Sequence, residues 1–261
     1  MQLMDLVRIQ VELLALGSEC RRDISSEGWL VTNRNDPNHY LNAFYPSREG
    51  FEYTERLRGQ LREHYSANAR EGYTVHYGRG GAADISYAAI LVPADVQVTP
   101  TAGTEDFACV QTDDLDAWCR AYVAGSPHIP AGPLRERTIR LHESRDVRFY
   151  LFTLGRRAIG GGALVHMGGG AFLANGYSVM AAHRGDILNR ARMVRMSTTH
   201  DVLAITSTRF ARVLRRAMPQ VRELGRLSYM RLDREVIADD PHRIVQQEPA
   251  APVTPAWRAT S

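Results

Sequence analysis

"VMAAHRGDILNRARMVRM", Val179 to Met196, sets an apolar run, a His-Arg-Gly turn and an arginine-rich segment end to end. Ile187, Leu188, Ala191 and Val194 recur at helical spacing, which predicts a helix over Asp186–Thr198 with those four residues inward. A strand that turns at a glycine and runs straight into a helix outlines an anion-binding loop. The first amides of a helix have no partner inside it, and they carry the positive end of its dipole. The candidate anion site is therefore Arg184, Gly185, Asp186, Ile187, Leu188, Asn189 and Arg190. Two features work against a tight phosphate grip. Ile187 and Asn189 stand where glycine would let the backbone come close, and the Asp186 carboxylate would repel a phosphate.

Charge points the same way as the loop. The chain has no lysine, so all 32 basic residues are arginine. Residues 1–183 hold 18 Arg against 21 acidic residues, whereas residues 184–234 hold 12 Arg against 4, a local net of +8. A basic block that begins at the loop favours an anionic partner, either a phosphate-bearing co-substrate or a nucleic acid backbone. Arg192 and Arg195 on the first helix, with Arg209, Arg212, Arg215 and Arg216 on the next, are the candidate nucleic-acid contacts.

Working outward, Val147–Leu154, Ala158–His166 and Ala171–Met180 read as an antiparallel meander, with the glycines at 160–162 making a thin part of the sheet. Asp201–Thr208 reads as a buried strand, Arg209–Met218 as a helix with Phe210, Val213, Leu214 and Ala217 inward, and Leu227–Leu232 as a last strand. Upstream, Asp114–Val123 and Arg135–Ser144 are helical. In the first half, Gly28–Asn33, Tyr73–Tyr77, Ile85–Val92 and Val96–Val98 read as strands, Asn35–Tyr45 as a turn followed by a strand, and Phe51–Tyr65 as a helix with Phe51, Leu57, Leu61 and Tyr65 inward. Residues 99–105 are a linker by composition, and the prolines after residue 238 mark a disordered tail, 239–261.

With 44% hydrophobic and 23% charged residues, the chain has the balance of a soluble globular protein. Its first residues lack the basic start and unbroken apolar core of a signal peptide. No run of about 18 apolar residues is present. A cytoplasmic protein is expected, with no membrane partner. Cys20, Cys109 and Cys119 lack metal-ligand spacing, so reduced thiols and no metal site are expected.

The order strand–strand–strand–loop–helix–strand–helix–strand over residues 105–234 resembles the GNAT acetyltransferase superfamily. Arg184 matches the first position of that family's loop, Arg190-Ala191 falls where a basic-small pair often follows, and "GRLSYMRL" (Gly225–Leu232) is similar to its closing strand. "GWLVTNRNDPNHYLNAFY" (Gly28–Tyr45) resembles the degenerate first half of tandem GNAT proteins. The resemblance implies an α/β fold of two GNAT-like halves, 1–99 and 105–238, each a mixed, mostly antiparallel sheet flanked by helices. It implies an amide-forming N-acyltransferase in which an amine attacks an activated acyl group directly. No tightly bound cofactor is implied. The co-substrate is an acyl-CoA or, given the arginine block and the degenerate loop, an aminoacyl-tRNA, which makes tRNA a candidate partner beside a small-molecule amine. Gly176, Tyr177 and Ser178 fall where the family's splayed strand polarises the acyl carbonyl through a backbone N–H. The tyrosine that the family often uses as general acid is absent. His183 and Glu143 are candidate proton acceptors. Asn38, Tyr40 and Asn42 alternate along a predicted strand and are candidates to line an acceptor pocket between the halves. Two other readings remain open: a non-catalytic GNAT-like binding or regulatory protein, and a nucleic-acid-binding protein whose arginine block is its whole function.

Overall fold

The computed structural model describes residues 2–16, 19–21, 27–78, 83–96, 106–174 and 178–233. The 99–105 linker, the 239–261 tail, Gly176, Tyr177 and the Arg184 side chain lie outside the described residues. In chain order the first half holds α1 (Leu3–Ala15), β1 (Glu19–Arg21), β2 (Gly28–Thr32), a 3-10 turn (His39–Leu41), β3 (Ala43–Pro46), α2 (Glu55–Ala67), β4 (Tyr73–Tyr77) and β5 (Ile85–Val92). The second half holds β6 (Phe107–Thr112), α3 (Leu115–Gly125), α4 (Ala131–Ser144), β7 (Val147–Leu154), β8 (Arg157–Met167), β9 (Gly170–Leu173), β10 (Ser178–Val179), a 3-10 helix (Ala181–Asp186), α5 (Ile187–Met196), β11 (Asp201–Ser207), α6 (Thr208–Ala217) and β12 (Arg222–Arg231).

One mixed, mostly antiparallel sheet runs through both halves in the order β1-β2-β3-β4-β12-β5-β11-β9-β8-β7-β6, with β10 paired to β8. Its two parallel contacts are β3 with β4 and β9 with β11. A parallel pair needs a crossover, and α2 and α5 supply one each. Each half then sends its last strand into the other. β12 lies between β4 and β5, and β5 lies between β12 and β11. Outward from the β5–β12 seam, the order β12-β4-β3-β2-β1 mirrors β5-β11-β9-β8-β7, an approximate two-fold repeat.

The sequence of β5, "ISYAAILV", suits this central place. Ala88, Ile90 and Val92 pack into the cluster that holds Ala191 and Val194 of α5 and Phe210 and Leu214 of α6. Ala89 and Leu91 point the other way, into the cluster built on Leu3, Leu6, Val7 and Val11 of α1. Such a strand is apolar almost throughout because both faces are covered. α2 covers the same face as α5 and α6, through Leu57, Leu61 and Tyr65 against Leu30 and Phe44. α3 and α4 share the α1 face, with Trp118 and Leu134 on Phe149 and Ala163. None of the described helices is long and apolar enough to cross a membrane.

Several elements depart from the sequence reading. Between the expected turn and strand of Asn35–Tyr45 lies a 3-10 turn, and the strand starts only at Ala43, so Asn38, Tyr40 and Asn42 do not alternate along it. α2 begins at Glu55 because the Thr54 hydroxyl accepts from the Leu57 amide at 3.2 Å, capping the helix there. In α6, Ala211 joins Phe210 and Leu214 inside, whereas Val213 is exposed. The edge strand β6 gives little periodic signal, since only half-buried residues alternate with exposed ones along it.

The thin part of the sheet is real and has a cause. Trp118 Nε1 donates to the Gly162 carbonyl at 3.1 Å, and a Cβ on Gly160 would run into the Ser178 backbone carbonyl of β10. Gly160→Ala is therefore expected to push β10 off β8 and to cost about 1–3 kcal/mol. Gly59 in α2 has open space around its Cβ position, so Gly59→Ala should stabilise by about 0.5–1 kcal/mol. Urea denaturation of the two variants beside the parent checks both signs.

Candidate functional site

The parallel strands β9 and β11 stay paired only as far as Phe172↔Leu203. Past that point β11 continues to Ser207 paired with β5 alone. On the other side, Leu173 pairs with Leu164 of β8, and pairing resumes at Ser178 opposite Gly161. β9 ends at Leu173 while β11 runs on to Ser207, so a fork opens between them. Leu173 and Thr206 border the fork on both faces of the sheet. Toward α5 and α6 they line a pocket of about 20 Å³. Toward α1, α3 and α4 they line a cavity of about 290 Å³.

Both halves build the larger cavity. α1 supplies Gln10, the 3-10 turn Tyr40, β5 Tyr87 and β12 Tyr229, while α3, α4 and their connection supply Tyr122, Arg137 and His128. Leu13, Leu14, Ile129, Leu141 and Phe172 form its apolar part. The Tyr45 hydroxyl, behind the wall, donates to the Tyr40 carbonyl at 2.7 Å and lies 3.1 Å from the Tyr229 hydroxyl. Burial raises the phenols of Tyr40, Tyr122 and Tyr229 and pushes Tyr87 up to about 12. These hydroxyls keep their protons at neutral pH, and with the Tyr45 proton on the Tyr40 carbonyl the Tyr229 hydroxyl donates to Tyr45. His39 stacks on Tyr87 with ring centres 5.5 Å apart and stands edge-on to Tyr229 at 4.8 Å. Its Nε2 is buried without a hydrogen-bond partner among the described residues. Burial first, and the charge of His128 second, hold His39 down to about 4, so it is neutral near pH 7.

The stretch Asn33–Asn42 sets this wall in place. The Asn42 amide donates to the carbonyls of Asp36 and Asn38 at 2.8 and 3.1 Å, and its Oδ1 accepts from the Asn33 amide at 3.1 Å. Asp36, buried, accepts from the Asn38 amide at 3.0 Å and lies 4.0 Å from Arg137. Of the three residues expected to line an acceptor pocket, Tyr40 lines this cavity. Asn38 and Asn42 do not, because the segment is a turn rather than a strand and Asn42 is spent bracing it.

The loop quoted at the outset closes on itself. Ala181–Asp186 forms a 3-10 helix that continues into α5, so Arg184, Gly185 and Asp186 sit in i→i+3 turns, while Ile187, Leu188 and Asn189 form the first turn of α5. Gly185 is exposed, with nothing near its Cβ position. Arg190 is fully buried. Its guanidinium lies 4.5 Å from the Phe107 ring centre and 3.9 Å from the Asp186 carboxylate, and none of its three side-chain nitrogens has a hydrogen-bond partner among the described residues. Burial lowers its pKa, and Asp186 partly restores it. In this structure the anion beside the loop's arginine is the loop's own aspartate.

Other expected site residues fall elsewhere. Ser178 is buried, and its hydroxyl donates to the Tyr122 carbonyl, tying β10 to α3. Glu143 is exposed near the end of α4, and neither it nor His183 lines the cavity. Arg195 is not a surface contact. It is buried, with Nε donating to the Pro93 carbonyl at 3.1 Å and its other nitrogens to the carbonyls of Ala94 and Thr198. Arg192 is half-buried. Arg215 pairs with Glu223 at 3.0 Å, and Arg209, Arg212 and Arg216 stand exposed on α6. The sequence reading missed Tyr87, Tyr122, Tyr229, Gln10, His128 and Arg137. The legible signal was a tyrosine inside an otherwise apolar strand or helix face, since a buried phenol usually has a polar partner.

No family model matches the sequence, and no curated protein matches it. Solved structures do match the fold. A GCN5-related N-acetyltransferase from Kribbella flavida superposes with a TM-score of 0.61 at 12% identity, over 88% of this chain and 96% of its own. A functionally unknown conserved protein from Staphylococcus epidermidis gives 0.54 at 9%, over 78% and 90%. A GCN5-related N-acetyltransferase from Sphaerobacter thermophilus gives 0.50 at 14%, over 75% of each chain. The chain has the GCN5-related N-acetyltransferase fold.

The two interior arginines should respond oppositely to an apolar side chain. Arg190→Met replaces a poorly paired buried cation, so stability is expected to hold or rise, by up to about 4 kcal/mol. Arg195→Met strands three carbonyls and is expected to cost about 3 kcal/mol. Thermal and urea unfolding of both variants would show the contrast. His39 makes a separate pH prediction. Its folded pKa of about 4 lies below the ordinary 6.5, so its share of stability is whole above pH 6.5. That share falls away as pH drops toward 4, by about 3 kcal/mol. His39→Phe keeps the stack on Tyr87 and should flatten the stability profile between those two pH values.

Proposed function

We propose that this chain is an N-acyltransferase that joins an acyl group to an amine held in the cavity between its halves. The observation that carries the reading is the fork between β9 and β11, which opens to both faces at Leu173 and Thr206. A donor reaching the fork from the α5–α6 face meets an acceptor held on the other. Holding both in register converts a bimolecular encounter into a local one. The amine nitrogen bonds to the acyl carbon, the bond from that carbon to the donor's sulfur or oxygen breaks, and the proton lost by nitrogen ends on the departing atom. His128 is the cavity's candidate to carry that proton. Protonated tyrosines facing the cavity can donate to the charge that builds on oxygen. The backbone near 176–178 remains the proposed polariser of the acyl carbonyl.

The donor in this reading is an acyl-CoA. A thioester arm entering the fork does not require the closed 181–186 turn to grip a pyrophosphate tightly. A second reading keeps an aminoacyl-tRNA as donor, favoured by Arg209, Arg212 and Arg216 exposed on α6. Turnover of acetyl-CoA with an amine panel, in nuclease-treated reactions, separates the two. The acyl-CoA reading expects thiol release that depends on added amine, with His128→Ala slowing it about a hundredfold. The tRNA reading expects no such release. It expects instead transfer from charged tRNA, with binding that falls with salt at a slope of roughly −0.7 to −0.9 per phosphate contacted and weakens in Arg212→Ala and Arg216→Ala. Absence of transfer from either donor would overturn the proposal.

A further inference from the structure

The cavity wall has a charge pattern of its own. Arg137 of α4 is its one arginine among the described residues, and no aspartate or glutamate lines it. The guanidinium is 10% exposed and is backed by Asp36 at 4.0 Å, while Asp36 is itself 2% exposed and lies behind the wall. A guanidinium stays charged in a protein interior and suits a planar carboxylate better than any other side chain does. Around it stand phenols that burial keeps protonated and therefore able to donate. The remaining wall is aliphatic and aromatic, with Leu13, Leu14, Ile129 and Leu141.

From this arrangement we infer that the acceptor is an amino acid or close analogue, with its carboxylate on Arg137, an apolar side chain among the leucines and its amine toward the fork. This deepens, and rests on, the acyl-transfer reading. A polyamine or a basic sugar would need a carboxylate in the wall to hold its second charge. Here it would meet Arg137 instead. The turn Asn33–Asn42 then has a reason for its many internal hydrogen bonds: it fixes Asp36 behind Arg137 and Tyr40 beside it, so the guanidinium is already placed before the ligand arrives. Preset geometry of this kind limits the ordering cost of binding.

The test uses the full chain and matched probe pairs: L-leucine with 3-methylbutylamine, and L-phenylalanine with 2-phenylethylamine. Each pair differs by the carboxylate alone. Binding is read without donor by calorimetric titration and by protection against heat unfolding. The amino acids are expected to bind about tenfold or more tighter than their amines, the size of one charge-assisted contact. Arg137→Gln should erase that difference, and Arg137→Lys should restore part of it. The unliganded melting of both variants shows whether they remain folded, and if Arg137→Gln does not, the probe pairs on Arg137→Lys and the parent still decide. Amines that bind as well as the amino acids, absence of binding by either class, or a preference that survives in Arg137→Gln would overturn the inference. Acylation assays on the same probes separate it from the reading beneath it. Amines acylated as readily as amino acids sink the inference and leave acyl transfer standing. Amino acids bound through Arg137 but acylated from no donor leave the pocket standing and sink the transfer.

Discussion

The antiparallel pairing of β5 with β12 is the constraint on which the rest of the molecule depends. β5 belongs to the first half of the chain and β12 to the second, yet each lies inside the other's part of the sheet. Without β12, β4 and β5 have no common neighbour. Without β5, β11 loses one of its two edges. α1 fastens the same seam from one face, since Leu3, Leu6, Val7 and Val11 share a cluster with Val75 and Ala89 of the first half and Leu203 and Leu227 of the second. The cost of closing such a long-range pairing is large in chain entropy, and the burial of β5 on both faces offsets it.

The exchange also makes the cavity. Tyr87 and Tyr229 sit on the two seam strands, Tyr40 and Gln10 come from the first half, and Arg137 and Tyr122 come from the second. The fork between β9 and β11 opens into this composite space. The second half by itself would have the fork and half a wall. The first half therefore supplies one side of the cavity wall, while the fork lies among strands of the second.

Sequence periodicity made the helices and the apolar strands legible, because α2, α5, α6, β5, β7 and β8 each bury a regular face. It made the overall layout legible for the same reason. What it could not show was which strand neighbours which. "ISYAAILV" announces a strand covered on both faces, but nothing local in it says that the neighbour on one side is 131 to 144 residues away along the chain. The arginines show the same limit. In Arg190 and Arg195 a charged residue marks the interior, stacked on Phe107 or spent on three carbonyls, where the residue type by itself suggests solvent or an anionic ligand. Asp186 conflicts with phosphate binding in the sequence, and in the structure it lies beside Arg190. Asn42 read as a possible ligand contact because polar side chains on strands usually face water or substrate. Its partners, the carbonyls of Asp36 and Asn38, exist only once the turn has formed.

If the seam joins both halves into one cooperative unit that builds the cavity, native-state hydrogen exchange resolved by residue tests it most directly. Amides of Ala88–Leu91 on β5 and of Leu227–Tyr229 on β12 should exchange only through global unfolding. Those of Thr74 and Val75 in the first half and of Leu203 and Ala204 in the second should exchange at that same free energy. Exchange of the first-half amides at a distinctly lower free energy, with β5 and β11 still protected, would contradict the account.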